Sequence, residues 1–129
     1  QRRGEIIARK LEKFVGPERD LILIYPVPEA GVDVPNFTVK KRILDDDQFT
    51  LRIPYPTFAE RSKYANISLN SLLTKNITRI YPSRVFCEES TSGFCETVIN
   101  QQSLYYDDHH LSNFGSSLIV PSIVTAISD

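Results

Sequence analysis

The 129 residues carry fifteen Lys and Arg against sixteen Asp and Glu, for a formal charge of −1, and 41% of them are hydrophobic. That is enough for one core and one domain, expected to occupy 1–129. The basic residues are scattered rather than gathered into a stripe interleaved with aromatics, which argues against nucleic acid as a partner. The longest nearly apolar stretch, Leu118 to Ile127, is interrupted by Pro121, Ser122 and Thr125 and falls short of the roughly 20 residues that span a bilayer.

Gln1-Arg2-Arg3-Gly4-Glu5 runs directly into a helical pattern without the form of a signal peptide, so the chain reads as an interior piece of a longer protein. Ile6, Ile7, Leu11, Phe14 and Val15 recur at helical spacing among charged residues, and Gly16-Pro17 stops the pattern. Leu21-Ile22-Leu23-Ile24-Tyr25 follows as a short apolar run that suits a strand buried on both faces in a parallel sheet. Pro26-Val27-Pro28-Glu29 ends it, and loops at the carboxyl ends of such strands are where α/β proteins build sites.

From Ala30 to Pro56 the chain is turn-rich and charged, and an excursion with limited regular structure is expected. The triplet Asp45-Asp46-Asp47 lacks the alternating ligands and terminal Glu of a calcium loop and reads as a solvated turn or a helix start. A helix is predicted over Phe58 to Asn76, with Tyr64, Ile67, Leu69, Leu72 and Leu73 toward the core. A short strand is predicted at Thr78 to Pro82. Triplets of the form Asn-x-Ser/Thr at Asn36, Asn66 and Asn76 are too common by chance to decide anything.

Cys87 and Cys95 are the only cysteines and flank a polar, glycine-containing segment. In an oxidising compartment this favours a disulfide-closed loop, whose closure contributes roughly 2–3 kcal/mol. Ser103 to Tyr106 reads as a brief extended segment, and a last helix is predicted over Asn113 to Ile127. Gly115 in its first turn suits a close backbone approach, and Pro121 kinks the helix or removes one internal hydrogen bond.

Tyr105-Tyr106-Asp107-Asp108-His109-His110-Leu111-Ser112 holds both histidines of the chain. Imidazole exchanges a proton near neutral pH, and a carboxylate on its Nδ1 fixes the tautomer and stabilises the cation. His110 has Asp107 three positions upstream, whereas His109 has Tyr106 there, so His110 is assigned as base and Asp107 as its orienter. The bland alternative is that Asp107, Asp108 and His109 form a solvated polar turn. A metal site is not expected, because adjacent His side chains usually diverge and no third His completes a ligand set. Ser112 or Asn113 caps the helix that follows, and Ser116 falls inside it. Neither serine reads as a nucleophile.

The order of strand, Pro-x-Pro-Glu, long helix, Ile-Tyr-Pro-Ser at 80 to 83, cysteine pair, then Leu-Tyr-Tyr-Asp-Asp-His-His-Leu-Ser-x-x-Gly and a closing helix resembles the C-terminal half of SGNH-type domains. More narrowly, it is similar to the SGNH domains fused behind membrane acyltransferases that O-acylate bacterial surface polysaccharides. Members of that family often carry an acidic residue where this chain has His109.

The resemblance implies a partial three-layer αβα sandwich with a parallel sheet, lacking the leading nucleophile strand. It implies no cofactor, and it places Asp107 and His110 in a catalytic triad. The Gly-Asp-Ser nucleophile block and the Gly-x-Asn-Asp block of the family do not occur in the 129 residues. The nucleophile, and with it the ability to act, is then expected from an upstream segment, and this chain alone is expected to be inactive.

The implied activity is transfer of an acyl group, expected to be acetyl, to a polysaccharide hydroxyl. The implied location is the bacterial periplasm or cell exterior, on a parent protein anchored in the inner membrane. An esterase of the same chemistry and a non-catalytic glycan-binding module are the alternatives. The sheet edge left open by a missing strand is expected to pair with the upstream segment, the membrane acyltransferase domain or a second copy.

Overall fold

The computed structural model describes residues 2–16, 18–44, 51–73 and 75–128, so the Asp45-Asp46-Asp47 triplet lies outside the described residues. The first helix, α1 (Arg2–Val15), ends at Gly16, whose φ of +63° is open to a residue without Cβ and whose N–H reaches the Glu12 carbonyl at 3.0 Å. Its inward face is Ala8, Leu11 and Val15. Ile6, Ile7 and Phe14, expected on that face, are exposed. The apolar pattern was wider than the surface available to cover it.

β1 (Leu21–Ile24) pairs in parallel with β3 (Ile77–Ile80), with Leu21 opposite Ile77 and Ile24 opposite Ile80. Side chains alternate across this pair as a strand requires. Leu21, Leu23, Ile77 and Tyr81 pack with Ala8 of α1, Leu69 of α3 (Tyr55–Asn70) and Leu72 just beyond its end. Ile22 and Ile80 pack with Phe86, Leu104, Tyr105 and Ile119 on the other side. The protein is therefore mixed α/β. Burial of β1 on both faces holds for Leu23 but fails at Ile24, which is half exposed.

The stretch expected to be irregular contains α2 (Val34–Ile43) and β2 (Arg52–Pro54). Asp33 caps α2 by accepting the Asn36 N–H at 3.0 Å, and Pro35 in the first turn lacks only a donor the helix does not use. Its apolar residues do not form a stripe, so periodicity could not reveal it. The same tolerance of Pro in a first turn lets α3 begin at Tyr55-Pro56, three residues before the expected start; it ends six residues earlier than expected, at Asn70.

β2 pairs antiparallel with β4 (Phe94–Glu96), and Arg52 Nε lies 3.0 Å from Glu96. A single helical turn, α4 (Ser83–Phe86), leads into Cys87, which is disulfide-bonded to Cys95 as expected. β5 (Val98–Ile99) and β6 (Gln102–Ser103) form a hairpin with two positive-φ residues at its turn, Asn100 and Gln101. The last helix, α5 (Asn113–Ser128), is continuous through Pro121.

Candidate active site

The polar turn between the hairpin and α5 is held from beneath and from the side. A bridge between Tyr105 and Leu111 closes it, with the Tyr106 N–H on the His110 carbonyl at 2.8 Å. Below it, buried Leu104 donates to the Thr97 carbonyl and accepts the Ser112 N–H, both at 2.9 Å. Ser112 is the helix cap: its Oγ accepts the Gly115 N–H at 3.0 Å and donates to the Ser103 carbonyl at 2.7 Å. A Cβ on Gly115 would overlap the Leu104 carbonyl oxygen and lie 3.0 Å from its carbon, the close approach that glycine permits.

The turn is also tied to the loop after β1. Tyr105 is buried, and its hydroxyl donates to the carbonyl of buried Pro28. Burial raises the Tyr105 pKa well above the usual phenol value, so the hydroxyl keeps its proton for that bond. Gly31 N–H reaches the Asp108 carbonyl at 3.0 Å, and Val34 N–H reaches that of Asp107 at 3.5 Å.

On this frame Asp107 and His110 meet. Asp107 Oδ1 accepts the backbone N–H groups of His109 at 2.9 Å and His110 at 2.7 Å, and Oδ2 lies 2.7 Å from His110 Nδ1. Those donors, the His109 N–H first and then the His110 N–H and ring, hold the Asp107 carboxyl well below the usual carboxylate range. An ionised carboxylate can only accept, so it fixes the proton on Nδ1 and leaves the Nε2 lone pair outward. No described residue hydrogen-bonds that Nε2, and the ring is exposed.

Asp108 and His109 are not merely solvated turn residues. His109 Nδ1 lies 2.5 Å from Asp108 Oδ1 and 3.7 Å from Asp107 Oδ1. The Asp108 hydrogen bond raises the His109 pKa, with the charges of Asp108, Asp107 and Glu29 adding to it. The two imidazoles do not diverge, contrary to expectation: their centroids are 3.9 Å apart and their planes are tilted by 43°. The turn swings both rings toward their carboxylates, which the residue order alone does not reveal. Asp107, His109 and His110 thereby bring one ligand atom each within 4.8 Å of one another, a set that could hold a metal, although both Nδ1 atoms are already engaged.

The geometry offers an oriented base, and among the described residues no hydroxyl hydrogen-bonds it. Ser112 is occupied as the cap, and Ser116 sits inside α5 with its N–H on the Ser112 carbonyl at 2.8 Å. A family model for SGNH domains fused to AT3 domains, the acyltransferase-3 group, matches residues 1–125. The chain belongs to that family. No curated protein and no solved structure matches it.

Membership ties the SGNH domain to acyltransferase or esterase-type chemistry. It also ties the domain to a parent with membrane acyltransferase domains, while no helix among the described residues is long and apolar enough to cross a membrane.

Proposed function

We propose that this SGNH domain supplies the general base of an O-acyltransferase, with His110 as base and Asp107 as its orienter. The nucleophilic serine comes from a segment upstream of residue 1. His110 Nε2 takes the serine proton as the hydroxyl oxygen attacks the acyl carbonyl, and returns it to the leaving group. It then takes the proton of a polysaccharide hydroxyl whose oxygen attacks the acyl-serine, and the serine oxygen leaves with that proton. The observation that carries this reading is the 2.7 Å contact of Asp107 Oδ2 with His110 Nδ1, which leaves Nε2 free to act.

Several features support the wider picture. Apolar clusters on opposite faces of the β1–β3 pair suit the αβα sandwich of SGNH domains. The outer edges of that pair suit an added strand, from the upstream segment or from a second copy. The disulfide suits an oxidising location, the periplasm or cell exterior, with the parent anchored in the inner membrane.

The test is acetyl transfer from an acyl donor to glycan by the parent protein. Transfer should fall on the order of 10²–10⁴-fold in His110→Ala, the range a general base contributes. Wild-type transfer by that variant would refute the reading. Release of free acid alone at every glycan concentration would make the protein an esterase.

A further inference from the structure

Apart from the histidine turn, the molecule carries a concave feature at the end of the sheet. Where β1 and β3 finish, a cleft of about 290 Å³ opens against α3, near the lower end of small-ligand pockets at roughly 300–1,000 Å³. Carboxyl ends of parallel strands are where α/β folds receive ligands. Tyr25, Tyr55, Phe58, Ser62, Arg84 and Glu89 all line the cleft.

Its two charged groups, both exposed, each have a neighbour within the protein. The Ser83 hydroxyl donates to Glu89 Oε1 at 2.5 Å, and the Arg84 guanidinium lies 4.5 Å over the ring of Tyr81, which itself stacks 4.3 Å from Tyr25. A smaller cleft of about 160 Å³ shares Pro26, Phe58 and Ser62 with the first and continues to Glu29 and Arg61. Glu29 belongs to the loop that is hydrogen-bonded to the histidine turn and adds its charge to His109.

One carboxylate and one guanidinium leave the cleft's lining without net charge. An anionic ligand would meet Glu89 and a cationic one would meet Arg84, so an uncharged ligand rich in hydroxyls satisfies both. Aromatic rings beside those groups match a ring with an apolar C–H face and polar edges. We propose that the cleft binds one neutral pyranose unit of the acceptor, its C–H face against the aromatic wall and its hydroxyls on Glu89 and Arg84. The identification of that sugar as part of the acceptor rests on the transferase reading above.

The experiment is saturation-transfer NMR on the parent protein, without acyl donor, using maltotetraose and cellotetraose as neutral probes and tetragalacturonate as the anionic one. The expected result is saturation of at least one neutral probe. Binding should weaken about tenfold or more in Arg84→Ala, the loss of one charge-assisted hydrogen bond, and also weaken in Tyr55→Ala. Lys63→Ala, on an exposed part of α3, should bind as wild type. The proposal is overturned if neither neutral probe is saturated, if both cleft variants bind normally, or if tetragalacturonate is preferred. Because nothing turns over in this measurement, its failure leaves the role of His110 standing, and failure of that role leaves this result intact.

Discussion

Replacing Asp107 by Asn separates the two jobs this carboxylate does. An Asn Oδ1 can still accept the His109 and His110 N–H groups now held at 2.9 and 2.7 Å, so the turn keeps its shape. Its Nδ2, however, sits where Oδ2 now faces His110 Nδ1 at 2.7 Å, and an amide donor there drives the ring proton to Nε2. The base then presents N–H to the serine instead of a lone pair. Acyl transfer by the parent protein should fall on the order of 10²–10⁴-fold, the contribution of a positioned general base. The assay is initial-rate acetyl transfer to glycan, alongside ¹⁵N NMR of the imidazole to read which nitrogen is protonated. Asp107→Ala should also lose the turn and show altered amide shifts at 109 and 110. Normal activity in Asp107→Asn with the proton moved to Nε2 would refute the argument.

Gly115→Ala forces a Cβ onto the Leu104 backbone; overpacking of that kind costs about 1–3 kcal/mol, set against a gain of up to roughly 1 kcal/mol in helix propensity. A lower melting temperature is expected, and an unchanged or higher one would mean the helix shifts freely. Tyr105→Phe leaves the buried Pro28 carbonyl unpaired at a cost of about 1–3 kcal/mol, read by chemical denaturation. Replacing Cys87 and Cys95 by Ala should cost roughly 2–3 kcal/mol, and a midpoint equal to that of the oxidised protein would contradict it.

His109 has its folded pKa raised above 6.5. Its pairing therefore stabilises fully below that pH and is lost as pH rises through the higher folded value. The ring ¹H titration should have its midpoint above 6.5 and move down in Asp108→Asn. Asp107 works in the opposite sense: its contribution is complete above 3.8 and is lost only as pH falls through its depressed folded value. Loss of its hydrogen bonds between pH 7 and about pH 4 would disagree.

Much of the local order was legible in the residues. The α5 boundaries, the Ser112 cap, the Gly115 approach and the Cys87–Cys95 bridge each depend on neighbours a few positions apart or on residue types with one dominant use. α2 was hidden because Asp33 and Pro35 read equally well as loop residues, and no apolar stripe overrode them. The inward face of α1 was only partly legible, since periodicity marks apolar positions without saying which of them another element will cover.

The pairing of Asp107 with His110 follows from residue order, because a three-residue spacing around a turn returns a carboxylate to a ring nitrogen. That Asp108 and His109 form a second pair beside them emerges from the folded chain, since side-chain direction at adjacent positions is set by the turn's backbone. Folding also brings Pro28 and Gly31 against the turn and draws Arg84 and Glu89 into one cleft with Tyr55. Those meetings join residues far apart in the chain, and packing rather than spacing makes them neighbours.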